Sequence, residues 1–170
     1  LEGNDVDQRG MDALGQLLSM ETSALMLDLK AAKVTDQGRN QDGLRLFCVG
    51  LSKNTTLTEL CLVNNDIHAG GAQHIGEALK SNKALTDLNL KGNQIGDGGF
   101  QRIGEALKKN PVLTSLDLYD NNIGPEGAKH ISEGLKSNTV LTTLILGGHP
   151  YSNAGKIGAE GAMHIAEAIK

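Results

Sequence analysis

Apolar positions recur along this chain at a fixed interval of 28 residues. Leu57, Leu85, Leu113 and Leu141 form one column, Leu60, Leu88, Leu116 and Leu144 a second, and Leu62, Leu90, Leu118 and Leu146 a third. Asn65, Asn93 and Asn121 keep the same step, followed by Ile67, Ile95 and Ile123. Later in each unit come Gly71, Gly99 and Gly127, then Ile75, Ile103 and Ile131, then Leu79, Leu107 and Leu135. A fixed period of this length is the signature of a repeat architecture. Inside each unit the spacing switches. Leu60-Cys61-Leu62 alternates, which predicts a strand with one buried face. Ala72, Ile75, Ala78 and Leu79 then fall on one stripe of a helix.

Punctuation between the elements supports this division. Asp97 is placed to cap its own helix, and Pro125 suits a first helical turn, where no amide donor is needed. Asn54, Asn82, Asn110 and Asn138 close the helices, and asparagine tolerates the left-handed conformation that commonly ends one. Pro111 reinforces one of these stops. A single strand–helix unit cannot bury its apolar face alone, whereas stacked units can. The expected fold is therefore an α/β solenoid with about five parallel strands on a concave face and helices on the convex face. Asn65, Asn93 and Asn121 are expected to be structural, their buried amides serving turn backbone between adjacent units.

The run Leu57-x-x-Leu60-x-Leu62-x-x-Asn65-x-Ile67 resembles the leucine-rich-repeat signature. The helix Gly71-Ala72-x-x-Ile75-x-x-Ala78-Leu79-Lys80 resembles that of the ribonuclease-inhibitor-like subclass. Repeat domains of NOD-like receptors and Ran GTPase-activating proteins belong to that subclass. The resemblance spans roughly residues 10 to 170 and implies a horseshoe-shaped protein binder. It speaks to fold far more than to function. One domain, 1–170, is expected: an N-terminal helix and cap over 1–24, an irregular first repeat over 25–56, three regular repeats over 57–140, and a last repeat over 141–170.

Both end units depart from the register. Met11, Leu14, Leu17 and Leu18 predict an amphipathic helix feeding strand residues Leu27 and Leu29. Val34 stands in the isoleucine column and Ala32 in the asparagine column, and the stretch from Thr35 to Asp42 is five residues too long. In the last unit the stretch from Gly147 to Lys156 carries a six-residue excess. Both insertions lie between strand and helix, which predicts loops on one rim, with Arg39, His149, Tyr151 and Asn153 as candidate contacts. A short stack with a long loop in its last unit is similar in architecture to the actin-capping repeat domain of tropomodulin-like proteins.

Composition narrows the function. Aromatics are only 2% of the 170 residues, so the core must be aliphatic. A net charge of −4 leaves no basic field for a phosphate backbone, so nucleic acid is not an expected partner. Cys48 and Cys61 cannot build a disulfide framework, which points to a reducing, cytoplasmic setting. The sequence has no apolar run approaching the ~18 residues that would span a bilayer, so no membrane association is expected. It begins at Leu1 without Met and ends at Lys170 still inside a helical pattern, which suggests further repeats in a larger protein.

Strand alternation assigns the concave face to Asp28, Lys30, Glu59, Cys61, Val63, Asp87, Asn89, Lys91, Ser115, Asp117, Tyr119, Thr143, Ile145 and Gly147. Four acids against two lysines make it mildly acidic and suited to a partner with basic patches. Paired-carboxylate chemistry would need a deep pocket and one raised pKa, which an open sheet does not supply, so no enzyme is expected. His74, His130 and His164 share a helix column, but helices ~8–10 Å apart cannot bring them onto one ion with bonds of about 2 Å. No metal or cofactor is expected. Glu77, Glu105, Glu133 and Glu167 each precede a lysine by three residues (Lys80, Lys108, Lys136, Lys170), which predicts solvated pairs on the outer helix faces. Cys61 has no cation beside it in its strand, so no reactive thiol is expected. Gly96-Asp97-Gly98-Gly99 lacks the Lys-Ser/Thr of a phosphate loop and reads as a turn.

The leading expectation is a protein-interaction module that binds through concave strands and rim loops, its oligomeric state open. Two alternatives stand beside it, an activator of a small GTPase with Arg39 as the candidate rim residue, and a tropomodulin-like actin binder.

Overall fold

The computed structural model describes residues 1, 3, 5–20, 23–35, 41–148 and 156–169. Six helices alternate with five strands: α1 (Gln8–Leu18), β1 (Met26–Asp28), α2 (Asp42–Lys53), β2 (Glu59–Cys61), α3 (His68–Ser81), β3 (Asp87–Asn89), α4 (Gly96–Leu107), β4 (Ser115–Asp117), α5 (Pro125–Leu135), β5 (Thr143–Ile145) and α6 (Gly158–Ala168). The strands form one parallel sheet in sequence order, with Leu27, Leu60, Leu88, Leu116 and Leu144 opposite one another. Each helix packs on its predecessor and the whole is a solenoid of the expected class. Helices ~8–10 Å apart cannot stay level with strands about 4.8 Å apart, so the sheet becomes the concave side.

The core runs unbroken from unit to unit. Leu57, Leu62, Leu85, Leu88, Leu90, Leu113, Leu116 and Leu118 are fully buried, together with the isoleucines of the helix stripes. Phe47 and Phe100 are the largest of the fully buried side chains among the described residues. Val34 is buried in the isoleucine column as expected. Leu17, expected on the apolar stripe of α1, is instead 53% exposed, while Met11 and Leu18 face inward. At α4 and α5 the helices touch backbone to backbone. A β-carbon on Gly104 would lie 2.3 Å from the His130 carbonyl oxygen.

Two ladders of buried asparagines flank the sheet. After each strand, Asn93 Oδ1 accepts the N–H of Asn65 at 2.8 Å, and Asn121 Oδ1 accepts that of Asn93 at 2.9 Å. Asn93 Nδ2 donates to the carbonyls of Leu62 and Leu90 at 2.7 and 2.8 Å, one in the preceding unit and one in its own. Asn64, Asp66, Gln94, Asp120 and Asn122 take positive φ of 50–57° beside these residues, with Gly92 at 70°. The second ladder precedes each strand. Asn82 Nδ2 donates to Leu51 and Asn54 of the unit before, and its Oδ1 accepts the N–H of Ala84 and Leu85. Asn54, Asn110 and Asn138 repeat the arrangement. This corrects the expected left-handed helix stop: Asn54 and Asn82 are extended, with ψ of 136° and 137°. The side chain, not the backbone conformation, ends these helices.

Asp97 also works differently from expectation. It leaves α4 without a side-chain cap, and its Oδ1 accepts the N–H of Gly124 and Gly127 at 2.7 and 3.0 Å. It therefore caps the helix of the next unit, where Pro125 occupies the first turn. The expected Glu–Lys column is likewise shared between units. Lys80 pairs with Glu77 at 2.6 Å within α3 and with Glu105 of α4 at 3.9 Å, while Lys108 reaches Glu133 of α5.

Leu88→Ala or Leu116→Ala leaves a cavity in a central unit and is expected to lower stability by ~2–5 kcal/mol in urea unfolding. Asn93→Ala strands at least one buried partner and is expected to cost about 2–3 kcal/mol by the same measurement. Replacing the exposed Lys83 with Ala should change stability by less than ~0.5 kcal/mol.

Candidate functional site on the strand face

With each central leucine turned into the core, its two neighbours must face the other way. The register places Met26, Glu59, Asp87, Ser115 and Thr143 in one row across the sheet, and Asp28, Cys61, Asn89, Asp117 and Ile145 in a second. Neighbours within a row are separated by one strand spacing, about 4.8 Å. Beyond the strand ends follow Lys30, Val63, Lys91, Tyr119 and Gly147. Glu59, Lys30, Lys91, Thr143 and Ile145 are exposed, and Asp28, Cys61, Asp87, Asn89, Ser115, Asp117, Tyr119 and Gly147 half-exposed. Val63 departs from the expected pattern: at 8% exposure its side chain is largely taken up by packing.

The second row has a local structural duty that alternation alone did not reveal. The side-chain oxygens of Asp28, Asn89 and Asp117 each accept the backbone N–H two residues on, from Lys30, Lys91 and Tyr119 at 2.9, 3.1 and 2.9 Å. These bonds bend the chain away from the strand. The Lys30 N–H, then the Cys61 thiol, hold the Asp28 carboxyl below its ordinary range. Glu59 and Asp87 make no such bond among the described residues, so their carboxylates are free to meet a partner. Lys91 Nζ lies 5.0 Å from the centre of the Tyr119 ring, joining a cation and an aromatic face in one contact.

Cys61 is not poised for nucleophilic chemistry. Burial pushes its thiol up, and the Asp28 carboxylate beside it acts in the same direction, partly opposed by the Val63 backbone. Cys48, wholly buried, is pushed up further by burial alone. His74, His130 and His164 lie half-buried on three different helices, α3, α5 and α6. No grouping that could hold a metal ion occurs among the described residues. Arg39, His149, Tyr151 and Asn153 lie outside the described residues.

Two features escaped the sequence reading. Met26 heads the acidic row and is 62% exposed, at the position two residues before Asp28 that the alternation itself marks. Thr58, Thr86, Thr114 and Thr142 form a column in which each hydroxyl donates to a carbonyl of the preceding unit. Its 28-residue step was a visible signal. Because the Asp28 charge suppresses ionisation of Cys61, Asp28→Ala is expected to speed iodoacetamide alkylation of Cys61 at pH 8. Mass spectrometry of the modified cysteine would read the rate, and a slower or unchanged rate would contradict the assigned interaction.

A family profile described as "Leucine Rich repeat" matches residues 53–76, 81–104 and 109–132. Over 80 residues the chain is 38% identical to leucine-rich repeat-containing protein 45 of Gallus gallus, covering 47% of this chain and 12% of that protein. The chain thus matches only a small part of that relative's length. Among solved structures it is similar to actin-binding site 2 of leiomodin-1, with 25% identity, a TM-score of 0.73, and 94% of this chain and 87% of that one covered. The fold is also that of the Caenorhabditis elegans tropomodulin C-terminal domain, with 13% identity, a TM-score of 0.71, and 94% and 90% of the two chains covered. The three matched segments are leucine-rich repeats, consistent with the ribonuclease-inhibitor-like subclass, and the strand–helix order continues on both sides of them.

Proposed function

We propose that this chain is a protein-binding module that docks a basic patch of a partner protein on its concave strand face. The observation that carries this reading is the pair of carboxylates on adjacent strands, the exposed Glu59 opposite the half-exposed Asp87, which accept no hydrogen bond among the described residues. Asp28 and Asp117 extend the negative character along the next row, and Tyr119 with Lys91 supplies an aromatic anchor of the kind that concentrates binding energy at interfaces. Level rows of outward side chains on a sheet suit recognition of a surface better than the enclosure of a small substrate. Binding without catalysis, metal or cofactor is the function assigned to it. The candidate rim residues Arg39, His149, Tyr151 and Asn153 are proposed as a secondary contact.

A second reading has a specific support. Likeness to the actin-binding site of leiomodin-1 extends over nearly the whole chain, so actin is a candidate partner. A small-GTPase activator remains an alternative that depends on Arg39. Localisation in the cytoplasm is proposed on the cysteine usage. No helix among the described residues is long and apolar enough to cross a membrane.

The test uses charge reversal at residues that hold nothing else in place. Glu59→Lys/Asp87→Lys is preferred to a change at Asp117, whose carboxylate bends the chain at Tyr119. Affinity capture from a native lysate, followed by titration of each captured protein and of purified actin, is expected to show binding weakened at least tenfold in the double variant. Full retention of every association would remove the concave face as the site. Saturable binding of actin that the variant loses would make actin the partner.

A further inference from the structure

Helix α1 is apolar on two sides. Met11, Gly15 and Leu18 are buried, and a β-carbon on Gly15 would lie 2.6 Å from the Leu46 carbonyl oxygen of α2. Leu17, two residues further on, points about 160° away from Gly15 around the helix axis and is exposed. Gly10, Ala13, Leu14 and Leu17 make a second stripe at helical spacing on that side. Together with Asp5, Val6 and Asp7 of the preceding segment they line a groove of about 570 Å³.

The groove lies at the open end of the helix row. Among the described residues, α2, α3, α4 and α5 each pack between two helices, whereas α1 packs on α2 alone. A strand has less room here than a helix. The Gly3 N–H already donates to the Lys30 carbonyl at 2.9 Å and the Val6 N–H to the Ala32 carbonyl at 2.7 Å, so residues 3–6 take up the chain just past β1. Ala13 and Leu17 stay exposed on the helix side.

Charge indicates what suits this groove. Residues 1–24 hold Glu2, Asp5, Asp7, Asp12 and Glu21 against Arg9, a net charge of −4. The whole chain has the same net charge, so residues 25–170 balance to zero. Lys30 and Lys33 follow β1, and Lys33 pairs with Asp5 at 2.8 Å. Both partners of that pair are exposed, so it contributes little and exchanges readily for another cation. No Lys, Arg or His lines the groove. Asp7 caps α1 by accepting the Gly10 N–H at 2.9 Å, which leaves its negative charge in place.

We propose that the outer face of α1 is a second docking surface, which takes a basic amphipathic helix of a partner protein. The incoming helix continues the row beyond α1. Its apolar stripe, at i, i+3, i+4 and i+7, rests on Leu14 and Leu17, and its flanking Lys or Arg side chains stand beside Asp5 and Asp7. A second copy of this chain suits the groove less well. Its own cap repeats the net charge of −4, and its open end helix α6 contains Glu160 and Glu167 with no Lys or Arg. Anionic lipid is disfavoured for the same electrostatic reason. The surface is distinct from the strand face that carries Glu59 and Asp87.

The test is fluorescence anisotropy on the full chain with a labelled eighteen-residue helical peptide that has a leucine stripe and lysine flanks. Two controls keep the length, one with glutamate flanks and one with serine in place of the stripe. Saturable binding of the leucine–lysine peptide alone is expected. Ala13→Gln/Leu17→Gln should weaken it at least tenfold, and Asp5→Asn/Asp7→Asn at least threefold, because asparagine keeps the helix cap and removes only charge. If the double glutamine variant is unfolded by circular dichroism, Leu17→Ala replaces it, with at least a threefold loss expected. Glu59→Lys/Asp87→Lys should leave binding within twofold. Absence of saturable binding, equal binding by the groove variants, or equal binding of the glutamate-flanked peptide overturns the proposal. So does binding lost only in Glu59→Lys/Asp87→Lys, which would move the peptide to the strand face. Self-association in sedimentation that Leu17→Gln abolishes would make a second copy the occupant and overturn it too. The concave-face reading is judged by its own partners and stands or falls separately.

Discussion

The central units turn at both ends of a three-residue strand, and in these turns Asn54, Asn65, Asn82, Asn93, Asn110 and Asn121 are buried. Some of their backbone N–H groups pair with carbonyls of the next unit, as Asn64 does with Lys91 and Gly92 with Tyr119, and buried groups that have no such partner are met by side-chain amides. Asn93 and Asn121 on one side of the sheet, and Asn82 and Asn110 on the other, meet that requirement with one donor and one acceptor apiece. The leucine core supplies most of the favourable burial, but it would tolerate sliding. The amides fix the register, because a shifted unit would strand several buried donors and acceptors at once.

Fixed register is what gives the strand face its character. Once the leucines and asparagines have secured the back and edges, the outward positions are released from packing, and adjacent strands present them in level rows. Glu59 and Asp87 are held side by side by a ladder to which neither side chain contributes. Their mutual repulsion is tolerated at a solvated surface and relieved by a cation from outside.

The fold was largely legible because its determinants are periodic. Leucine, isoleucine and asparagine columns name the buried positions directly, and the shift from alternation to a helical stripe locates each element. What escaped was the direction of side-chain bonds between units. Asp97 stands at the start of its own helix, and nothing within one unit indicates that its carboxylate serves the next. The tolerance of asparagine for the left-handed conformation points to a backbone stop at Asn82, whereas its side chain finds partners in the preceding unit and in its own turn. Val63 alternates correctly but lies at the strand end, where the chain turns inward and packs it away. Glu59 and Asp87 were readable as surface positions, but their freedom from bonding duty could only be seen in three dimensions.

In both ladders the amide of one unit reaches back to complete the unit before it, as Asn93 does for Leu62 and Asn65, and Asn82 for Leu51. The chain emerges from the ribosome in the opposite sense, amino end first. Each repeat therefore leaves the ribosome unfinished and waits about one further repeat of translation for the side chain that closes it. A pause in synthesis between units would hold an open, adhesive edge in front of the cell's chaperones for as long as the pause lasted.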